Sequence, residues 1–375
     1  MKSKNAAGSR SRPSRKTVLL RIAKFAIALA VVVGLAHTIR SAAGELAEHR
    51  DRIRGEIADL DQQLESTTDP AARADLQARR ERWVSQQPRL AAIDWWRVAA
   101  AAAVYLASLF PAALFFHQVL RHMKQHPRLG DAVRAHILGH MGKYVPGKAM
   151  VVVLRTGAIA GPNVRAGVAV VAAFIETLLM MAVGGTVAGV FVVCLRMPTG
   201  ITLLAIGLAA CAAVPTLPSL FRFVVRKISE SRFGSDKGLD DAGIDWRLIG
   251  CGWGWMLLMW TAIGWSFALL IQATPGAMVD AFTWQDYMLA TAAIALAMVA
   301  GFISLLPGGA GVRELVLSTL LAPRFGLVPA LVAAILARLV FLAVEVGIGG
   351  LLWATRRRTT PGDRSRCDTE DLPTG

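Results

Sequence analysis

The sequence predicts an all-α polytopic membrane protein, with about seven to eight transmembrane helices, two re-entrant segments broken at Pro-Gly, and an extracytoplasmic helical hairpin. Three observations predict this fold. Of the 375 residues 54% are hydrophobic, and they form separate blocks of about twenty residues, the length of a membrane-spanning helix. Pro-Gly interrupts two of the apolar stretches, and a polar segment follows the first block.

Residues 1–17 form a basic leader without acidic residues, which we expect in the cytoplasm. Residues 18–39 are apolar and lack a convincing cleavage site, so they predict a retained first transmembrane helix rather than a signal peptide. The protein is therefore expected in the cell inner membrane with a cytoplasmic N-terminus. The net charge of +15 lies mainly at the ends of apolar blocks, which favours membrane orientation over a nucleic-acid partner.

Residues 41–94 are polar and predict two helices joined by a tight turn, in a coiled-coil-like antiparallel hairpin. Asp69 is a suitable N-cap and Pro70 a suitable first residue for the second helix. A cytoplasmic N-terminus would place this hairpin outside the inner leaflet, as a docking element for an extracytoplasmic protein or as a spacer. The apolar positions at helical spacing are Ile53, Ile57, Leu60 and Leu64, then Leu76, Trp83 and Leu90.

Residues 98–353 contain the remaining apolar blocks, and residues 354–375 predict a basic, disordered tail. Seven full crossings from a cytoplasmic start would leave Arg356–Arg358 outside, against the positive-inside rule. The helix count and the side of the C-terminus therefore stay open at this stage. The predicted spans are 98–120, 166–195, 201–220, 248–271, 285–306 and 329–353.

Two Pro-Gly breaks lie in comparable apolar surroundings, at Pro146-Gly147 and at Pro307-Gly308. Proline ends a helix and glycine frees the backbone, so each break predicts two half-depth helices that meet at a turn. Irregular backbone at membrane depth requires protein or water around its polar groups. The two breaks therefore predict two structural repeats with a binding site between them.

The charged residues beside the breaks predict a site for an anion. A half-helix that starts after each break directs its free N–H groups and positive dipole end toward the turn. Arg155 and Arg313 add guanidinium groups, which match phosphate geometry. The predicted substrate-binding residues are Pro146, Gly147, Lys148, Arg155, Glu176, Pro307, Gly308, Gly309, Gly311, Arg313, Glu314 and Arg338.

A structural role is the alternative for several of these charges. Glu176 and Glu345 would then pair with cations, for example Glu176 with an arginine, and hold the bundle together. His136, His140, Lys143 and Lys148 are expected as loop residues that contact headgroups rather than as ligands or bases. The tryptophans at 253, 255, 260 and 265 are expected to face lipid or the interface.

The sequence has no Ser/His/Asp arrangement, metal-ligand spacing or Gly-rich nucleotide loop. Its four cysteines form no CxxC pair. We therefore expect no catalytic residue, no metal and no cofactor. The oligomeric state stays open, because Gly184-Gly185 and Gly349-Gly350 could pack helices within one chain or between chains.

The stretch Leu306-Pro-Gly-Gly-Ala-Gly-Val-Arg-Glu314 resembles a motif in the transmembrane region of lysylphosphatidylglycerol synthases and related flippase-like membrane proteins. Tyr144–Gly147 with Arg155 is a looser match to the family's first motif, with Lys148 in place of a small residue. The resemblance covers residues 98–353 and leaves the 41–94 hairpin outside. It implies a helical protein that moves a lipid between leaflets. About twenty residues follow the last helix, so no aminoacyl-transfer domain and no synthase activity are expected.

The expected function is that of a lipid flippase or lipid-handling transporter. An anionic lipid headgroup would enter a polar cavity containing Arg155, Arg313 and Glu314, and movement would be passive or driven by an ion gradient. Three alternatives remain: a secondary transporter of a soluble anion, a scaffold that recruits a cell-envelope enzyme through the hairpin, and a transferase acting on a lipid-linked substrate through Glu314, Glu176 or His140.

Overall fold

The computed structural model describes residues 50–85, 93–144, 149–214, 245–275, 281–304 and 311–354, with four isolated positions before residue 50. The predicted first transmembrane helix, both Pro-Gly turns and the tail beyond residue 354 lie outside the described residues. Within the described ranges the regular secondary structure is helical and includes no β-strand. The predicted all-α fold is confirmed.

The described residues contain eleven α-helices, and a 3-10 turn at Met141–Tyr144 follows α4. Five of them (α3, α6, α8, α9 and α11) are long and apolar enough to cross a membrane. They match five of the predicted blocks, whereas the block predicted at 201–220 contains the shorter helix α7. The helices are α1 (50–66), α2 (Pro70–Ser85), α3 (Trp95–His122), α4 (Leu129–His140), α5 (Ala149–Ile159), α6 (Ala166–Cys194), α7 (Thr199–Ala213), α8 (Trp246–Ala273), α9 (Trp284–Ile303), α10 (Val312–Phe325) and α11 (Leu327–Ala354).

Helices α1 and α2 are joined by residues 67–69, as the polar segment predicted. The Asp69 carboxylate accepts a hydrogen bond from the Ala71 N–H at 3.2 Å, and α2 begins at Pro70. Arg80 Nε lies 2.5 Å from Asp61 Oδ1, so an ion pair connects the two helices. The side of the membrane on which this hairpin lies stays a prediction.

Contacts between helix ends define two ends of the helix bundle. At the first end, where α3 finishes, His122 Nε2 lies 3.8 Å from Asp245 Oδ1 at the start of α8. At the second end, where α3 begins, the Asp94 N–H donates to the Ala273 carbonyl at 3.1 Å, at the end of α8. Helices α3 and α8 are therefore antiparallel along their full lengths.

Helices α4 and α5 form a hairpin that enters and leaves at the first end. The loop before α4 contacts the loop after α5, where the His126 N–H donates to the Asn163 carbonyl at 3.1 Å. The helices have 12 and 11 residues, or about 18 and 16 Å at 1.5 Å per residue. This is well short of the roughly 30 Å hydrocarbon core, which agrees with the re-entrant segment predicted around Pro146.

Helices α9 and α10 form a second hairpin, which enters from the second end. Arg324 at the end of α10 binds Asp286 at the start of α9 through two hydrogen bonds, of 2.6 and 3.1 Å. Helix α11 then runs to the first end, where Arg134 of α4 donates to the Leu352 carbonyl. The block predicted at 285–306 is therefore one arm of a hairpin, and its 20-residue helix α9 is still long enough to cross the membrane.

The position at which α11 ends bears on the side of the C-terminus, which the sequence left open. The end of α11 lies beside the basic segment around Arg134, so the cationic residues Arg356–Arg358 follow a helix that finishes at the first end. The first predicted transmembrane helix lies outside the described residues, so the total number of crossings stays a prediction.

The two halves of the bundle repeat one arrangement in opposite orientations. Helices α3 to α6 comprise a long helix, a hairpin from the first end and another long helix. Helices α8 to α11 comprise the same series, with the hairpin entering from the second end. The predicted repeats are thus of the inverted type, in which sites form where the broken helices meet.

Small residues bring the long helices together within the chain. Gly184 of α6 faces the indole of Trp260, and Gly185 lies against Ala209 of α7. Trp260 is fully buried, and its Nε1–H donates to the Met180 carbonyl at 2.9 Å. The expectation that Trp260 faces lipid was wrong, because the small residue opposite leaves room for its ring in the core. Trp265 is 57% exposed, as expected.

We expect Gly184→Ala to lower the free energy of unfolding by about 1–3 kcal/mol, because the added Cβ would overlap the Trp260 ring. The matched control is Gly254→Ala in α8, whose Cβ would meet no atom of the described residues within 4 Å. This control should be neutral or slightly stabilising, since alanine favours helix. Thermal unfolding of the purified proteins in detergent measures both effects, and equal transition temperatures would contradict the prediction.

Candidate functional site

Seven polar side chains form what we call the central network, inside an otherwise apolar bundle. They come from five helices of both repeats and from the 3-10 turn after α4. His136, Arg155, Glu176 and Glu345 are each at most 2% exposed. Charged groups at such depth are costly and normally have a partner or a function. The seven are Tyr105, His136, His140, Lys143, Arg155, Glu176 and Glu345.

Arg155 and Glu176 join the first hairpin to α6. The Arg155 guanidinium donates to Glu176 Oε2 and lies 5.2 Å from the centre of the Phe116 ring. A Cβ at Gly139 would lie 2.9 Å from Arg155 Nε, so this glycine gives the guanidinium its space. The alternative in which Glu176 pairs with an arginine is confirmed.

His136 and His140 occupy one face of α4, four residues apart. Their Nε2 atoms lie 3.1 Å from each other. On the outer sides, His136 Nδ1 is 3.8 Å from Glu176 Oε1 and His140 Nδ1 is 3.7 Å from Glu345 Oε1. The expectation that these are loop residues was wrong, because α4 continues through both positions and buries the first ring completely.

Glu345 of α11 connects the network to the second repeat. It accepts hydrogen bonds from the Tyr105 hydroxyl and from Lys143 Nζ. The Tyr105 ring stacks on Phe341 at 3.8 Å between centroids. Tyr105 was not among the predicted site residues, although a tyrosine in the middle of an apolar helix is a signal that could have identified it.

A second ion pair lies beside the second break. Arg338 Nη1 donates to Glu314 Oε1 at 2.9 Å, and Glu314 Oε2 accepts from the Gly311 N–H at 2.8 Å. Gly311 has a φ of 81°, a conformation that favours glycine. This glycine lets the chain turn into α10 while its N–H remains aimed at the carboxylate.

The charged residues that the sequence assigned to one cradle have different partners in the structure, and that they form one site stays a prediction. Arg155 and Glu314 belong to two different ion pairs. Arg313 has no carboxylate partner among the described residues, and it is close enough to Lys143 to interact with it electrostatically. The remaining predicted residues, which are Pro146, Gly147, Lys148, Pro307, Gly308 and Gly309, lie outside the described residues.

The two ion pairs occupy equivalent places with opposite signs. In the first repeat, an arginine after the break binds a glutamate on the next long helix. In the second repeat, a glutamate after the break binds an arginine on the next long helix. Each pair fixes one hairpin to its repeat. In the part of the chain that the structure describes, no group of three or more His, Cys, Asp or Glu side chains could hold a metal ion.

Comparison with known families gives a match over residues 73–349, to the Lysylphosphatidylglycerol synthase TM region. The chain belongs to this family. A search of curated proteins finds no match. The matched segment contains α3 to α10, most of α11 and all seven residues of the central network. The match begins within α2, so the expectation that the whole hairpin at 41–94 lies outside the family was wrong for its second helix.

Proposed function

We propose that this protein is a lipid flippase or lipid-handling transporter, which moves an anionic lipid between leaflets of the cell inner membrane. The observation that supports the proposal is the buried charged network that joins the first hairpin to α3, α6 and α11, in a bundle with two oppositely oriented hairpins. In membrane proteins, ionisable residues that face a bundle interior commonly mark substrate or ion pathways. Discontinuous helices that meet near the midplane are a recurrent form of transporter binding site.

The charge balance near the hairpins favours an anionic headgroup. Four cations (Lys143, Arg155, Arg313 and Arg338) accompany three carboxylates (Glu176, Glu314 and Glu345), an excess of 4 − 3 = 1 positive charge. Arg313 accounts for the excess. Each of the other three cations is paired with a carboxylate. A phosphate bound at Arg313 would supply the negative charge that this arginine lacks among the described residues.

The proposed orientation places the first end in the cytoplasm. Exposed basic residues are concentrated there, including Arg121, Lys124 and Arg128, as the positive-inside rule requires. The N-terminus and the tail after α11 would then both be cytoplasmic. We propose transport rather than catalysis, so the lipid leaves the protein chemically unchanged.

The test is the rate at which labelled phospholipids move between leaflets of liposomes that contain the purified protein. The wild type should accelerate an anionic phospholipid more than a zwitterionic one, and Arg313→Ala should remove most of this acceleration. The matched control is Arg128→Ala, an exposed arginine at the start of α4, which should behave like the wild type. Equal acceleration by Arg313→Ala and the wild type would contradict the proposed site.

A soluble anion is the alternative substrate of the same cations. It would be indicated if no tested lipid moves while labelled phosphate enters the liposomes in an Arg313-dependent manner.

A further inference from the structure

A continuous row of four titratable side chains connects the two repeats. It begins at Glu176 on α6, passes through His136 and His140 on α4, and ends at Glu345 on α11. The three separations are 3.8, 3.1 and 3.7 Å. Ion pairing with arginine and lysine accounts for the two carboxylates, but it assigns no role to the histidine pair between them.

The number of hydrogens in this row is decisive. A hydrogen between the facing atoms makes the 3.1 Å contact a hydrogen bond and makes the two longer histidine–carboxylate contacts electrostatically attractive. Two neutral imidazoles provide only two N–H groups. The third contact would then place an unprotonated ring nitrogen opposite another lone pair. One added proton completes all three contacts.

One nitrogen of this row lacks a hydrogen-bond partner in the part of the chain that the structure describes. His136 Nδ1 is buried and has no hydrogen-bond partner among the described residues, although Glu176 Oε1 is only 3.8 Å away. A proton on this nitrogen would point toward the Glu176 carboxylate, which attracts it, whereas the Arg155 guanidinium repels it. Histidine is also the side chain whose ordinary titration range is nearest to neutral pH.

Other charges face the histidine pair from every surrounding element. Arg155 of α5 and Lys143 of the 3-10 turn balance the two carboxylates of the row, so the network is neutral before the proton binds. Tyr105 of α3 is uncharged, and Arg313 of α10 acts through Lys143. Binding one proton therefore changes the network from neutral to a charge of +1, and this favours an anion nearby.

We propose that the His136–His140 pair is a binding site for one proton, and that this proton crosses the membrane together with the anionic cargo. The second half of the statement rests on the proposed function, whereas the first does not. The proton comes from water on one side and is released to water on the other. The driving force would then be the proton gradient.

Proton binding is tested on ¹⁵N-histidine-labelled protein in lipid nanodiscs, by following the imidazole nitrogen signals with pH. The signals of His136 and His140, assigned with His136→Gln and His140→Gln, should change together in one transition that takes up one proton. His117→Gln is the matched control, because His117 lies on α3 outside the row, and it should leave that transition unchanged. Independent titration of the two rings, or no titration while the protein stays folded, would overturn the proposal.

Coupling is tested in proteoliposomes containing a labelled anionic phospholipid and an entrapped pH dye. An acidic exterior should accelerate inward lipid movement by the wild type and acidify the interior. For His140→Gln, the rate of lipid movement with the proton gradient should equal the rate without it. His117→Gln should keep the wild-type ratio of these two rates. Movement by the wild type that ignores the gradient would overturn coupling and leave the flippase proposal intact. No lipid movement at all would instead contradict the flippase proposal, and the nanodisc titration would still decide the proton site.

Discussion

Replacing Glu176 by leucine should lower the free energy of unfolding by about 3–5 kcal/mol, because the substitution leaves a buried arginine without its counter-charge. The Arg155 side chain is 3% exposed and that of Glu176 is 1% exposed, so water cannot replace the lost partner. The measurement is unfolding in mixed micelles, followed by tryptophan fluorescence.

The control for this prediction removes both charges, in the double variant Arg155→Met with Glu176→Leu. Apolar side chains of similar volume commonly replace a buried ion pair at little cost, so the double variant should recover most of the lost stability. Recovery with continued lipid movement would show that the pair is only structural. If Glu176→Leu has the same free energy of unfolding as the wild type, the ion pair between Arg155 and Glu176 does not form in the folded protein.

Replacing Glu314 by leucine should cause a loss of similar size in the second repeat. Arg338, whose side chain is 10% exposed, would lose its carboxylate, at a cost of about 3–5 kcal/mol. The Gly311 N–H would also lose its acceptor at the start of α10, which costs roughly a further 1 kcal/mol. Unfolding in mixed micelles again measures the combined effect.

Glu314→Gln separates these two contributions. The glutamine carbonyl can still accept from the Gly311 N–H, but it provides no charge for Arg338. The free energy of unfolding of the glutamine variant should therefore exceed that of the leucine variant by roughly the contribution of the hydrogen bond from the Gly311 N–H. Identical stability of the two variants would show that the hydrogen bond to Gly311 contributes nothing.

The long helices could be predicted from sequence because their signal is local. Apolar blocks gave α3, α6, α8 and α11 to within a few residues, and Asp69-Pro70 gave the start of α2. The path of α9 could not be predicted in this way. Its length and composition suit a complete crossing, and only the distant pair of Asp286 and Arg324 shows that α10 brings the chain back to the second end.

The residues of the central network were harder to assign than the helices. The spacing of His136 and His140 by four residues predicts a shared helical face, and a helix rather than a loop would have followed from it. Tyr105 and Glu345 lie 240 positions apart, so no sequence pattern connects them. Partner choice among buried charges depends on how the helices pack, and that is a property of the whole bundle.

Helix α7 buries little of its surface, and Ala205 is its one fully buried residue among those described. Its importance lies in parity. The two long helices of the first repeat return the chain to the end from which α3 started. An even number of further crossings before α8 would give both halves the same orientation in the membrane. Helix α7 begins the connection from Pro198, at the second end, to Asp245, at the first end, and this connection makes the number of crossings odd. The second half is therefore turned over relative to the first, and its hairpin enters from the opposite end.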